Sequence, residues 1–259
     1  ADGKAFVEFT GQPRFSVVAD GAQVRFDAAV GGDEKPGGLN FSERLAALHE
    51  TLLDLPRPRI PGTVEVKLPA VVAGDTTVRD VSLSAEPAAD GWNIKTFSAA
   101  LPGRTTLEAK GTLSTADDIG FAGSLLLAVG QPSGFAAWLS KDVDDAIRRL
   151  PAAGFHADVD LTERRQTFSN LELQLGDATF RGEAESRQPV DARGSATLRL
   201  SGGALDLDGL SAFASLFVSD QGASRFTDRD LDLVLKAGPV SAAGLSAETV
   251  DTALRLRGR

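Results

Sequence analysis

Polar and apolar residues alternate along much of this chain, and the clearest alternation covers residues 105–113. The odd-numbered positions there carry mainly Leu, Ala and Gly, whereas the even-numbered positions carry Thr, Glu and Lys. Successive side chains of a strand point to opposite faces, so the pattern predicts a strand with one apolar and one wet face. A turn at 101–104 that contains Pro and Gly precedes this strand. A polar turn at 115–118 leads to a second strand at 119–129.

The same alternation recurs in short runs on both sides of this hairpin. We expect further strands at 5–9, 15–18, 22–30, 63–68, 77–85, 91–101, 155–161, 167–175, 178–184, 196–200, 205–208, 230–235 and 249–257. If this phase is right, five leucines are buried, namely Leu107, Leu125, Leu171, Leu173 and Leu198. Four charged residues are then exposed, namely Glu108, Lys110, Glu172 and Arg199.

Three segments instead place apolar residues at steps of three and four, which predicts amphipathic helices. They cover residues 41–55, 135–150 and 209–217. Asn40 or Ser42 is suited to cap the first helix, and prolines beyond residue 55 end it. The apolar stripe of this first helix consists of Phe41, Leu45, Leu48, Leu52 and Leu55.

The sequence pattern indicates an internal repeat. Stretches that start at Val64, Phe155 and Leu231 share one plan, in which a strand, a polar turn and a second alternating strand follow one another. We therefore expect a single β-rich segment over 1–259, with sub-repeats at 60–150, 151–218 and 225–259. The predicted fold class is mainly β with a few helices: a repeat-built, curved, antiparallel-rich sheet that forms a half-pipe or groove, with three amphipathic helices.

The alternation does not determine what covers the apolar face of this sheet. The helices are able to close it as an ordinary core, because each has an apolar stripe. Alternatively, the sheet curls into a half-pipe whose inner face is only partly filled.

Composition narrows the range of functions. The net charge is −9, which argues against a nucleic-acid partner and against electrostatic attachment to anionic lipid. The chain has no cysteine, so disulfides, thiolate metal sites and cysteine nucleophiles are excluded. It contains no uninterrupted apolar run of about 18 residues, the length that a membrane-spanning helix needs.

The residues give little sign of catalysis. The two histidines, His49 and His156, fall beside a helix stripe and on a wet strand face, and no serine lies in a G-x-S-x-G motif. The Asp206–Asp208 and Asp158–Asp160 pairs lack the glycines and further acids of a calcium loop. We therefore predict no catalytic residue, no metal site and no cofactor.

Four stretches resemble repeat modules of the AsmA family of bacterial envelope proteins. They are LPGRTTLEAKGTL from Leu101, GFAGSLLLAVGQPSGFAAWL from Gly120, PGTVEVKLPAVVAGDTTVRDVSLSAEP from Pro61 and GSATLRLSGGALDLDGL from Gly194. The family's proteins are tethered to the inner membrane and are linked to outer-membrane lipid homeostasis. The resemblance implies a periplasmic location and an anchor in the inner membrane, supplied by a segment absent from this chain.

The resemblance further implies a non-enzymatic function, in which the acyl chains of phospholipid or of another lipid are carried or shielded along an apolar sheet face. The residues expected to contact lipid are Leu107, Leu113, Leu125, Leu127, Phe155, Val159, Leu161, Leu171, Leu173, Leu175, Leu198 and Leu200. The rival expectation is a structural or protein-binding scaffold module with a closed core. A glycan-binding or glycan-processing domain is a third alternative, which the scarcity of aromatic residues disfavours.

The other expected partner is the remainder of a longer envelope protein. Both the run near residue 5 and the alternation at 250–256 have the pattern of strands that pair with a neighbouring repeat.

Overall fold

A single large sheet dominates the structure, a computed structural model. It describes residues 2–8, 13–21, 24–25, 41–56, 58–73, 76–115, 119–139, 143, 145–217 and 230–257. The strands of the large sheet are β1 (Asp2–Glu8), β2 (Arg14–Asp20), β3 (Val24–Arg25), β4 (Gly62–Ala73), β5 (Thr76–Ala88), β6 (Gly91–Leu101), β7 (Thr105–Ser114), β8 (Gly120–Val129), β9 (Ala153–Thr162), β10 (Arg165–Leu175), β11 (Ala178–Arg187), β12 (Ser195–Gly202), β14 (Asp230–Ala237) and β17 (Val250–Leu256). A second, three-stranded sheet contains β13 (Leu205–Asp206), β15 (Val240–Ala242) and β16 (Leu245–Ala247).

The order of strands in the large sheet follows the chain. Thirteen of the described strands form one path, β1-β2-β4-β5-β6-β7-β8-β9-β10-β11-β12-β14-β17, and β3 pairs with β4 beside β2. The path has two ends, so the described strands do not close into a barrel. The predicted mainly β class is confirmed, whereas the half-pipe curvature and the repeat plan stay predictions.

Most neighbouring strands in the large sheet are antiparallel, and the parallel exceptions mark where helices enter. Both β2 and β3 pair with β4 in parallel, and β12 pairs with β14 in parallel. A parallel pair needs a long crossover, because the chain must return to the end of the sheet from which it started. The helix α1 (Phe41–Leu53) lies in the first crossover, and α4 (Leu207–Ser215) lies in the second.

The remaining helices connect two antiparallel neighbours, β8 and β9. They are α2 (Pro132–Trp138) and α3 (Asp145–Arg149), so the single helix expected over 135–150 is wrong and the described residues contain four helices instead of three. Leu139 ends α2 with a backbone N–H bond to the carbonyl of Phe135. Acidic Asp145 begins α3 and Arg148 and Arg149 end it, which suits the helix dipole.

Two other boundaries differ from the sequence-based expectation. Asp206, expected inside a strand that ends at residue 208, caps α4 through a bond from the backbone N–H of Asp208 to its Oδ1 (3.0 Å). The helix therefore begins at Leu207 and not at residue 209. Most of the strand expected at 22–30, and the proposed cap Asn40, lie outside the described residues.

The first helix buries less of its stripe than its pattern predicts. Leu45 is 49% exposed and Leu48 is 53% exposed, although both belong to the predicted apolar stripe. Arg44 of α1 instead contacts the rest of the protein, through hydrogen bonds to Thr76 on β5 and to Trp138 on α2. The alternative in which the helix stripes close the sheet face therefore does not hold for this part of α1.

The predicted burial of the five leucines is confirmed for two of them, and the predicted exposure of the four charged residues is confirmed for all four. Leu171 and Leu173 are buried, and the other three leucines, Leu107, Leu125 and Leu198, are half-buried. All four charged residues expected on the wet face are exposed, namely Glu108, Lys110, Glu172 and Arg199.

The core lies where α2, α3 and α4 cover the apolar face of strands β8 to β14. Helix residues Phe135, Ile147 and Phe213 share one buried cluster with strand residues such as Leu173 and Phe180. Phe217 joins the covering helices, with its ring centroid 6.2 Å from that of Phe135 and 5.3 Å from that of Phe213. The second half of the sheet therefore has an ordinary helix-on-sheet interior.

The two faces of β10 provide a direct test of this arrangement. Leu173→Asp forces an unpaired charge into the core and should lower the free energy of unfolding by about 3–5 kcal/mol. Glu172→Lys, one residue away on the exposed face, should change it by less than about 0.5 kcal/mol. Urea denaturation measures both values, and equal losses for the two variants would show that the assigned phase is wrong.

Candidate functional site

The side chains of all twelve residues expected to contact lipid lie on the same, apolar face of the large sheet. Six of them are buried: Leu127, Val159, Leu171, Leu173, Leu175 and Leu200. The other six are half-buried: Leu107, Leu113, Leu125, Phe155, Leu161 and Leu198. The structure thus brings the set together on one face and places half of it in the helix-covered core.

A half-buried line of apolar side chains crosses the strands that precede this core. It consists of Val66, Leu83, Phe97, Ala109 and Leu125, each the register partner of the next on β4, β5, β6, β7 and β8. We call these five residues the apolar row. Four strand spacings of about 4.8 Å give the row a length of about 19 Å.

Four of the five members of the apolar row, all except Leu125, were missed as candidates by the sequence reasoning, which concentrated on strands after residue 105. The signal was present, because Val66 and Leu83 belong to runs with the same alternation. The row ends against Ala157, which is fully buried and is the register partner of Leu125 on β9. It therefore runs from the less covered strands to the border of the core.

The turn between β6 and β7 contacts the first turn of α2, and this contact determines where the helix-covered core begins. Gly103 has φ +74°, and a Cβ there would lie 2.3 Å from the backbone nitrogen of Phe135. Its carbonyl accepts a bond from the backbone N–H of Gln131 (2.8 Å). Glycine suits this position because it tolerates positive φ and permits the close approach.

A junction of three side chains joins α1, β5 and α2 on the same side of the sheet. Thr76 is buried, and its Oγ1 accepts bonds from Trp138 Nε1 (2.7 Å) and from Arg44 Nη1 (2.9 Å). Arg44 also donates through Nη2 to the Trp138 carbonyl (2.7 Å), and its guanidinium carbon lies 4.4 Å from the Trp138 ring centroid. The Thr76 hydroxyl thus links α2, through Trp138, and α1, through Arg44, to strand β5.

Trp92 supplies a polar atom on the apolar face that has no partner in the described part of the chain. The residue is 7% exposed, and its Nε1 has no hydrogen-bond acceptor among those residues. Its register partners are Leu113 on β7 and Pro87 on β5. A buried donor without an acceptor costs about 1–3 kcal/mol, so this indole favours any acceptor that reaches it.

The opposite face is charged and hydrogen-bonded. Arg181 pairs with Glu172 (3.2 Å), and Asp158 Oδ2 accepts a bond from Asn170 Nδ2 (2.7 Å). A shallow depression of about 560 Å³ lies on this face beside β10, β11 and β12; it is lined by Ser169, Asn170, Leu171, Glu172, Arg181, Gly182, Glu183 and Arg199. Its lining carries carboxylates beside cations, so the two signs of charge offset each other.

Among the described residues, His156 makes a contact with Ser124 that resembles a catalytic pair. Its Nε2 lies 2.9 Å from Ser124 Oγ across neighbouring strands, on the exposed face of the sheet. His156 is exposed to solvent, as is Glu172, the residue opposite it on β10, whose carboxylate is paired with Arg181. This is the geometry of a surface hydrogen bond.

The aspartates of the Asp206–Asp208 pair have structural roles. Asp206 caps α4, and Asp208 Oδ2 accepts a bond from the backbone N–H of Ala243 (2.9 Å). Over the described ranges, no three His, Cys, Asp or Glu side chains are grouped so as to hold a metal ion.

Comparison with protein-family models, with curated proteins and with solved structures found no match for this chain. Within the described residues, no helix has both the length and the apolar character needed to cross a bilayer. The assignment to a family accordingly rests on the resemblance of the sequence stretches and forms part of the proposal below.

The Thr76 junction leads to a mutational prediction. Thr76→Val removes the acceptor of both Trp138 Nε1 and Arg44 Nη1 while it preserves the shape of the side chain. We expect a loss of about 1–3 kcal/mol in the free energy of unfolding, because a part-buried donor is left unpaired. Thr76→Ser keeps the hydroxyl and should lose less than half as much in the same denaturation experiment; an equal loss would contradict the role of the hydroxyl.

Glu185 leads to a prediction about pH. The bond from Arg187 (2.7 Å) and then that from Arg165 (2.9 Å) hold the pKa of this carboxyl below its usual 4.5, although desolvation opposes them. A lowered folded-state pKa stabilises the protein above pH 4.5, and this contribution is lost as the pH falls through the folded-state value. The stability difference between wild type and Glu185→Gln should therefore be largest near neutrality and shrink below pH 4.5. A pH-independent difference would contradict this.

Proposed function

We propose that this chain is a non-enzymatic, periplasmic segment of an AsmA-like envelope protein that shields lipid acyl chains along its apolar sheet face. The observation that carries the proposal is the apolar row, a half-buried line of Val, Leu, Phe and Ala side chains across five strands. An acyl chain laid on such a row gains about 0.8 kcal/mol for each methylene that it buries.

The charge distribution supports contact through the acyl chain and not through the headgroup. The chain carries a net charge of −9, and arginines of the wet face such as Arg181, Arg199 and Arg165 are paired with glutamates of the same face. Cations already engaged in this way offer little additional attraction to a lipid phosphate. The part of a lipid that suits the apolar face of this sheet is therefore the hydrocarbon chain.

Trp92 adds a polar point to this otherwise apolar face. Its unpaired indole N–H lies on β6, two residues from Ile94 and five from Phe97 of the apolar row. A glycerol-ester carbonyl is an acceptor that a bound phospholipid brings to such a donor. Tryptophan combines an apolar ring with one polar atom, which suits it to the border between hydrocarbon and polar groups.

A scaffold function is the second proposal, and one observation favours it. Six of the twelve residues expected to contact lipid are buried in the core beneath α2, α3 and α4. On this view the sheet is a rigid spacer within a longer protein, and the apolar row is an extension of that core.

Two adjacent leucines of β8 separate the two proposals. Leu125 and Leu126 are both half-buried, but Leu125 belongs to the apolar row and Leu126 lies opposite Glu108 on the other face. We expect phospholipid to displace an apolar fluorescent dye from the wild-type chain in a saturable way. Leu125→Gln should weaken lipid binding about tenfold, because lost burial and an added polar group together cost about 1.4 kcal/mol.

Leu126→Gln is the matched control and should leave lipid binding within about twofold of wild type. Thermal unfolding of both variants establishes that they fold. A failure of wild type to bind dye or lipid would favour the scaffold, and equal effects of the two substitutions would remove the apolar row as the binding surface.

A further inference from the structure

The strand β17 forms one end of the large sheet. Its described strand neighbour is β14, and the register between them is uninterrupted from Leu231–Leu256 to Ala237–Val250. Six of its seven residues are exposed, among them Leu254 (44%) and Leu256 (48%). A regular edge strand presents backbone N–H and C=O groups that are able to pair with another strand.

The charges of β17 leave this edge open. Asp251 pairs inward with Lys236 of β14 (3.3 Å), and Arg255 pairs inward with Asp232 (3.7 Å). The strand contains neither Pro nor Gly and has no bulge in its register. The devices that commonly protect an edge are thus lacking within β17 itself.

We propose that β17 binds the β17 of a second copy of the chain, antiparallel and centred on Ala253. This register faces Asp251 with Arg255 of the second copy, and the two-fold axis repeats the pair. On the apolar side it faces Val250 with Leu256 and Thr252 with Leu254. All seven residues of the strand are paired, and polar and apolar side chains stay on their own faces.

Charge complementarity extends beyond the two edge strands. Lys236 lies opposite Asp251 within one copy, and Asp232 lies opposite Arg255 within the other. The proposed pairing joins them into a row of four strands whose charges read plus, minus, plus, minus. Opposite charges that face each other across strands contribute about 0.2–1 kcal/mol per pair, and like charges oppose pairing.

Symmetry and the remaining arginine favour this register. Arg257 lies beyond the end of β17 and already donates through Nη1 to Asp232 Oδ1 (3.0 Å), so it need not take part. A two-fold pairing of identical strands closes at a dimer, whereas pairing of β17 with the opposite edge strand β1 would continue into longer assemblies. The proposed pairing uses the β17 edge alone and is independent of lipid binding at the apolar row.

Sedimentation-velocity ultracentrifugation of the chain tests the pairing. Wild type should form a dimer at tens of micromolar. Asp251→Lys faces lysine with arginine twice, and Arg255→Glu faces glutamate with aspartate twice. Each variant alone should weaken the dimer by roughly tenfold or more. An equimolar mixture of the two should recover the dimer, because the mixed pair again matches opposite charges.

Matched controls lie on the wet face of the interior strand β7. Glu108→Lys and Lys110→Glu make the same changes of charge at exposed positions and should leave the dimer unchanged. A monomeric wild type, growth into larger species, or a dimer insensitive to both β17 variants would overturn the proposal. So would a mixture that remains monomeric.

Discussion

The structure depends on the need to keep one continuous apolar sheet face out of water. Strands β4 to β12 present the apolar side chains described above to the same side of the sheet. Burial of such surface is the main favourable term in folding. Helices α2, α3 and α4 cover this face over β8 to β14, where Leu173 and Phe180 pack with Phe135 and Phe213 in one core. Over β4 to β8 the apolar row remains half-buried. This difference in cover is the basis of the proposed function.

The helices are fixed to the sheet by a few specific contacts. The crossover between β12 and β14 carries α4, and the Asp206 cap defines where that helix begins. Gly103 admits the first turn of α2, and Thr76 holds Trp138 at its end. These contacts mark where the covered half of the face stops and the apolar row begins. The border therefore depends on a close backbone approach and a shared hydroxyl as well as on apolar packing.

Period-2 alternation predicted most strands and their faces, because each strand has one side toward the core. It did not reveal the bulge in β10, where Asn170 has φ +49° and the apolar face passes from even-numbered Phe168 to odd-numbered Leu171. Nor did it reveal the end of α2 at Trp138 or the bonds of Arg44, which join residues 94 positions apart. Such features depend on tertiary contacts that local pattern does not encode. The candidate residues on β7 to β12 were predicted on the correct face, but their degree of burial depends on where the helices lie.

Photo-crosslinking tests the central claim most directly, because it reports which residues touch an acyl chain. A phospholipid that carries a diazirine within its acyl chain would be bound, irradiated and mapped by peptide mass spectrometry. The account predicts crosslinks on the apolar row, concentrated at Leu83, Phe97 and Leu125, with few on the charged face. Crosslinks confined to wet-face residues such as Glu108 and Lys110, or none above a denatured control, would contradict it.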